Sequence, residues 1–456
     1  MKNENNLTTQ PIPGLIRQIA VPATVGYFFH TMYNVVDTYF GGLISTQVLA
    51  ALSLSLPVFF IIIAMATGLS TGTTALLANA LGSGDREGAK ILALQGLSFG
   101  VLISIFLTVF GITASPILFS LLGASGEYLV TALTYMNTIF LGTVFFMMVN
   151  MLNAVLNAMG DTKPYRNFLI LGFVLNVIMD PWFIYGGLGI PPLKIVGIAL
   201  ATVLIQVLGC IYLGVKVYRT GLISVRAIKD FLPKARPFRE IATQGLPASV
   251  NMLTVGIGIF VITYFISQFG KEAVAAYGAA MRVEQIVLVP MIGLNIATLT
   301  IVAQNNGAGL FHRIRETLNR ALQYGGILMI LGTLIVLAAA PYLMAIFSGD
   351  IRVVDIGSVY LRIDALVFYA YVILFAHVAA LQGIKRPMYA LWIGLSRQII
   401  APFILFYLLT RVFNFGLTGI WWGIFAITWG AAIFTLFYAR LIMRKALGTS
   451  PHPGPS

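Results

Sequence analysis

The sequence of 456 residues contains one cysteine, Cys210. It sits in an apolar run, so an internal disulfide or a thiolate metal cluster cannot form, and redox and zinc chemistry are not expected. Charge is almost as scarce, at 9%, against about 25% in a soluble domain. The four histidines are scattered. No cluster of His, Asp and Glu and no nucleophile beside a base stands out, so an enzyme is not expected and no cofactor is called for. The glycine loop at 82–84 lacks the G-x-x-x-x-G-K-[ST] spacing that would cradle ATP phosphates. The first ten residues are polar and no short apolar segment with a small-residue cleavage site follows them, so no cleavable signal is expected.

What the sequence has is apolar length: 59% of it is hydrophobic and its mean hydropathy is +0.91. Stretches 38–84, 91–126 and 128–160 carry no charge, and each exceeds the roughly 20 residues that a bilayer requires. The first must reverse within itself, and Gly41-Gly42 with Ser45-Thr46 are the expected turn. Splitting the runs at Gly, Pro and charge clusters predicts helices near 14–42, 47–80, 90–119, 127–158, 166–186, 195–218, 238–269, 272–305, 316–340, 352–382, 388–412 and 416–443. The fold class is therefore an all-α polytopic membrane protein with twelve transmembrane helices.

Placing the basic residues on this frame puts 21 of the 28 Lys and Arg on the side of the N-terminus and 4 on the other, with Arg282, Arg362 and Arg397 inside spans. The positive-inside rule then predicts both termini in the cytoplasm. It also accounts for the net charge of +13 without a nucleic-acid partner.

The two halves of the chain look like copies. Pro22 recurs at Pro247, Ala51 at Ala276, Gly68-Leu69 at Gly293-Leu294 and Ala78 at Ala303, all at one offset of 225. The predicted organisation is a cytoplasmic tail (1–13), an N-terminal six-helix lobe (14–218), a basic linker (219–237), a C-terminal six-helix lobe (238–443) and a second tail (444–456). Six-plus-six repeats are a transporter architecture with the substrate site between pseudo-symmetric halves.

Four acids, Asp37, Asp180, Glu284 and Asp364, fall inside predicted spans, where an unpaired charge costs several kcal/mol. In the second half Arg282 and Arg362 each lie two residues from an acid and Arg397 lies in a nearby span, which suggests a structural ion-pair network. The first half offers Asp37 and Asp180 no basic residue at depth, so a proton or a small cation such as Na⁺ is the expected source of positive charge. Asn176 precedes Asp180 by four residues and so shares its helix face, as Tyr33 does with Asp37; Asn153 and Asn157 form a further polar edge. Proton and metal would neutralise the same carboxylates and so compete. The plainer alternatives are that Asp37 lies at the membrane interface near Gly41-Gly42 and that Asp180, before Pro181, begins a turn. Pro22 and Pro247 are either kinks that move or static bends. Met32, Met147, Met148, Met151, Tyr135, Phe145 and Phe146 either line an adaptable cavity or pack helices.

Taken together, Val36-Asp-Thr38, the segment 156–164 with its Met-Gly-Asp-Thr-Lys-Pro, Asn176-Val-Ile-Met-Asp180, Gly197-Ile-Ala-Leu-Ala-Thr202, the run from Ala276 to Glu284 and Ala303-Gln-Asn-Asn-Gly-Ala-Gly309 resemble the multidrug and toxic compound extrusion (MATE) transporters over nearly the whole chain. The resemblance implies efflux of cationic, amphipathic drugs from the cell through the inner (plasma) membrane, driven by inward H⁺ or Na⁺, with two six-helix lobes rocking about a central cleft. Partners would be small organic cations and membrane lipid, and the chain would act as a monomer. The branch looks DinF-like, which implies coupling through Asp37, Asn176 and Asp180, these three being the metal ligands if the ion is Na⁺. Tyr33, Asn153 and Thr202 would surround them and Pro22 would be the responding bend. The NorM-type branch instead expects acids in the seventh and tenth helices; here the seventh has no acid beyond Glu240 at its start, and the matching stretch of the tenth carries Tyr371. The runner-up function is a flippase for lipid-linked sugars, which would favour a markedly cationic cleft.

Overall fold

The computed structural model describes residues 7–187, 189–223 and 230–448. Part of the expected N-terminal tail, the middle of the basic linker, Leu188 and most of the C-terminal tail lie outside the described residues. Everything described is helical or short connection, apart from one isolated bridge between Gly187 and Ile190. The first half contains α1 (Ile12–Ile44), α2 (Thr46–Gly82), α3 (Arg86–Leu121), α4 (Gly126–Leu141), α5 (Thr143–Ala158), α6 (Lys163–Tyr185) and α7 (Ile195–Tyr218). The second contains α8 (Ala235–Ser267), α9 (Lys271–Gly307), α10 (Phe311–Ala345), α11 (Ile351–Ala365), α12 (Phe368–Gly383), α13 (Met388–Leu395), α14 (Ala401–Tyr407) and α15 (Gly416–Gly448).

Nine of these helices are long and apolar enough to cross a membrane, and eleven spans result when the bent pairs α4–α5 and α11–α12 each count as one. The bends are 45° and 50°. The remaining expected span is α1, whose 33 residues are long enough to cross but include Tyr27, His30, Tyr33, Asn34 and Asp37. With it the twelve expected segments are complete, and the protein is a multi-pass membrane protein. Of the expected turn at Gly41-Gly42 and Ser45-Thr46 the second half is where the chain reverses: α1 runs through both glycines to Ile44, and Ser45, whose hydroxyl accepts from the Val48 N–H at 3.1 Å, caps α2.

The duplication is plain in the elements. Helices α2 and α9 are each 37 residues long and begin at matching places. Pro116 of α3 corresponds to Pro341 of α10, and the break at Gly142 corresponds to the break at Val367. The last segment of the repeat is less regular: between α13 and α14 the helix widens into a π turn at Ser396–Ile400, and a second π turn at Leu408–Val412 ends it.

The chain forms two compact units. One comprises Val21–Leu253 and the other comprises Leu7–Ala20 with Thr254–Ser456. The sequence halves are thus exchanged at their ends: the start of α1 belongs with the second half and the start of α8 with the first. In the second unit Leu7, Ile12, Leu15, Ile16 and Ile19 are buried in one apolar core with α9 and α10. The Arg313 guanidinium donates to the carbonyls of Leu7 at 3.2 Å and Gln10 at 2.6 Å, and to Asn305 Oδ1 at 2.8 Å. In the first unit Gly68 and Gly72 of α2 face Gly245 and Ser249 of α8 so closely that a Cβ on Gly72 would meet the Gly245 backbone at 2.4 Å. Small residues four apart on both helices permit that approach. Buried Gln95 holds the chain entering α8, donating to Leu232 O at 2.7 Å and accepting from Lys234 N at 2.8 Å.

Candidate functional site

In the first unit the helical register brings the expected acids together. Asn176 and Asp180 lie one turn apart on α6, both with 0% exposure. Helix α6 continues through Pro181 to Tyr185, so Asp180 does not begin a turn. Its side chain is held inside the unit with neither carboxylate oxygen accepting a hydrogen bond. From α1, the Asp37 carboxylate receives Asn176 Nδ2 at 2.7 Å on Oδ1 and lies beside the carboxyl of Asp180. Asn176 Oδ1 is buried without a donor. The result is two adjacent carboxylates, one of them held by the Asn176 amide N–H, with no lysine or arginine in contact among the described residues.

One turn earlier on α1, the Tyr33 hydroxyl donates to Thr202 Oγ1 at 3.1 Å, and Thr202 donates in turn to the Ile198 carbonyl of its own helix α7 at 3.0 Å. This chain fixes Tyr33 beside the acids. Tyr135 of α4, which the sequence left between cavity lining and helix packing, also stands within electrostatic reach of Asp37 and Asp180. Asn153 of α5 is buried, but its Oδ1 has no donor and it does not hydrogen-bond to Asp37 or Asn176. Pro22 is buried in α1, just after the point where that helix passes from one unit to the other.

The second unit holds another acid pair, and here the expected ion pairs are not made among the described residues. Residues two apart on a helix point to nearly opposite sides, and so Arg282 and Arg362 are exposed while Glu284 and Asp364 turn inward. Glu284 accepts from the Tyr360 hydroxyl at 3.3 Å. Asp364 is 1% exposed and neither of its oxygens accepts a hydrogen bond. Aromatic rings surround the pair: Tyr360 lies 4.7 Å from Trp421 and 5.4 Å from Tyr277. Of the three arginines, Arg397 alone acts on the cluster, within electrostatic reach of Glu284 and with its guanidinium 5.5 Å from the Tyr371 ring centre. The sequence signal that was available, an i,i+2 spacing, argued against the pairing it suggested.

Among the described residues no group of three or more His, Cys, Asp or Glu is placed to hold a metal ion. An ion at Asp37 and Asp180 would therefore be held by two carboxylates completed with neutral oxygens, a donor set suited to H⁺ or to a hard monovalent cation rather than to zinc.

Comparison with known proteins agrees with this architecture. The MatE family model matches residues 22–182 and again 247–408, one copy in each half. The chain is 27% identical to an FAD transporter of Shewanella oneidensis, covering 88% of each chain. It is 25% identical to a probable multidrug resistance protein NorM of Thermotoga maritima, covering 93% of this chain and 92% of that one. It is 22% identical to a multidrug export protein MepA of Staphylococcus aureus, over 91% and 90%. Among solved structures, a MOP superfamily transporter from Pyrococcus furiosus superposes with a TM-score of 0.91 at 25% identity, covering 99% of this chain and 100% of that one. With two copies of the family match laid over two copies of the same helical pattern, the chain belongs to the MatE family and is a membrane transporter, not an enzyme.

Proposed function

We propose that the protein is a secondary antiporter that exports cationic amphipathic compounds in exchange for H⁺ or Na⁺, with Asp37, Asn176 and Asp180 as the coupling site. The observation that carries this reading is Asp180: a carboxylate buried completely, with no donor on either oxygen, beside a second carboxylate. A charge so placed, with a second one beside it, is too costly to bury as it stands. A proton or a sodium ion arriving there removes the cost, and its departure restores it. An ion that binds one conformation of the transporter better than another shifts the equilibrium between them by that difference in affinity. Tyr33 and Thr202 orient the site, and Pro22, which leaves the Gln18 carbonyl without its helical N–H, is where α1 would bend. The relatives named as multidrug proteins support the substrate class.

The test is transport in proteoliposomes under separately imposed proton and sodium gradients, with ethidium as the organic cation and FAD beside it because one relative is named for FAD. Ethidium moving uphill with one gradient and not the other is the expected result. Movement of FAD alone would overturn the substrate class, and uphill movement without either gradient would overturn antiport.

The orientation belongs to the same proposal: an inner-membrane protein with both termini in the cytoplasm. Single cysteines at exposed Ser83 and Ser125, in a Cys210→Ala background, should react with an impermeant thiol reagent from the cytoplasmic and the external side respectively. The opposite sidedness would invert the topology.

A further inference from the structure

A second polar feature lies in the second unit, at the end of the helices where the positive-inside bias puts the cytoplasm. A cavity of about 370 Å³ opens there between α10, α12 and α15. Its polar lining is Arg315, Asn319, His377, Arg440 and Arg444, and it contains no acid. Leucine and methionine side chains complete the wall.

The three guanidiniums carry no ion pair or hydrogen bond to any described residue; the described ion pairs are Lys90–Glu87, Lys234–Asp230 and Arg236–Glu240. Glu316, the acid next in sequence, lines an adjoining depression with Arg315, His312 and Arg320. His377 is 2% exposed and its Nδ1 donates to the Ile373 carbonyl at 2.7 Å, which leaves Nε2 without a protein partner in a ring that forms part of the cavity wall. Arginines gathered without an acid repel one another, and an anion between them relieves that.

The surroundings indicate what sort of anion. Along α15, approaching Arg440 and Arg444, Ile433, Phe434, Phe437 and Leu441 are all more than half exposed, as a lipid-facing surface would be. Head and tail therefore have adjacent places: a phosphate among the arginines and acyl chains along the bare face of α15. Basic pockets between helices on the cytoplasmic side are suited to anionic headgroups. We propose that this cavity binds the phosphate headgroup of an anionic phospholipid of the inner leaflet.

The experiment purifies the full-length protein in nanodiscs of equal phosphatidylglycerol and phosphatidylcholine, extracts it gently and measures the two lipids retained by native mass spectrometry. The intact protein should retain phosphatidylglycerol in excess. Arg440→Gln,Arg444→Gln should lower that excess by about 25-fold, from roughly fivefold per arginine, and the exposed single variant Arg444→Gln by about fivefold. Arg219→Gln, the same charge change at the end of α7, should leave it unaltered. Equal retention of both lipids by the intact protein would overturn the proposal. So would a loss as large in Arg219→Gln, which would mean general surface attraction, or displacement of the lipid by micromolar inorganic pyrophosphate, which would mean a site for free phosphates. Lipid retention requires no transport, so failure here and failure of the antiport reading are separately visible.

Discussion

The two acid pairs, one in each half of the repeat, share a pattern and differ in one partner. Each has one carboxylate that accepts a hydrogen bond, Asp37 or Glu284, and one that accepts none, Asp180 or Asp364. In the first half the donor is the Asn176 amide and no cation stands near. In the second the donor is a phenol, the walls are tyrosine and tryptophan, and the Arg397 guanidinium is within electrostatic reach. One resident positive charge changes what is left to neutralise: beside Arg397 a single retained proton suffices, whereas Asp37 and Asp180 together have none of their own. A site that must acquire positive charge from solution is one that an ion gradient can drive. A duplicated frame can thus hold one labile pair and one settled pair.

The most damaging way to test this contrast is to neutralise the labile pair. Asp37→Asn and Asp180→Asn should each fold and each lose ion-driven efflux to background, and the double variant should be no worse than either, because a shared site is disabled once. Efflux assays on the purified variants decide it, and a double variant with normal ion dependence would remove the coupling site from the first half. Asn176→Ala keeps both charges but loses the amide, and should shift half-maximal ion activation by about tenfold, the effect of a charge-assisted hydrogen bond, toward tighter binding for H⁺, whose competitor donor is gone, and toward weaker binding for Na⁺, which loses an oxygen ligand.

The settled pair should respond in the other direction. Asp364→Asn replaces an acid without donors by a neutral group of the same shape, and should raise thermal stability in detergent by about 1 kcal/mol, within the range for relieving an unsatisfied buried group, while ion dependence stays. A lower melting temperature together with lost coupling would exchange the roles of the halves. The smallest effect is expected from the phenols. Tyr33→Phe, which loses the 3.1 Å bond to Thr202, should cost about 0.5–1.5 kcal/mol and shift half-maximal ion activation, whereas Tyr360→Phe should alter stability by a similar amount without that shift.

The helices were legible because charge-free runs of this length leave little else to form, and the repeat because one offset joined many pairs. The reversal was half legible: Ser45-Thr46 marked it, but Gly41-Gly42 did not, since a transmembrane helix passes through glycine readily when its neighbours supply the packing. The bends at Gly142 and Val367 were hidden, since neither position carries a proline and a single glycine or valine within a span marks no break. In the site, four-residue spacing correctly put Asn176 and Asp180 on one face. The spacing of Arg282 and Arg362 from their acids was misread as proximity, although two residues are a little over half a turn. Tyr135 stayed between lining and packing because an aromatic residue among methionines carries no mark of the acids that α4 brings it to.

The exchanged ends of the two units bear on how the protein is made. Residues 7–20 leave the ribosome long before the groups that hold them, Asn305 and Arg313, which come some three hundred residues later. At about 5–20 residues per second, this segment waits roughly 15–60 s before its core exists, with Leu15, Ile16 and Ile19 meanwhile lacking the neighbours that bury them. The first unit waits as well, since it is complete only when α8 has been made as far as Leu253. Neither half of the sequence can complete its unit alone. Severing the chain between residues 223 and 230 should therefore yield two fragments that are degraded when made singly and that assemble into a working transporter when made together.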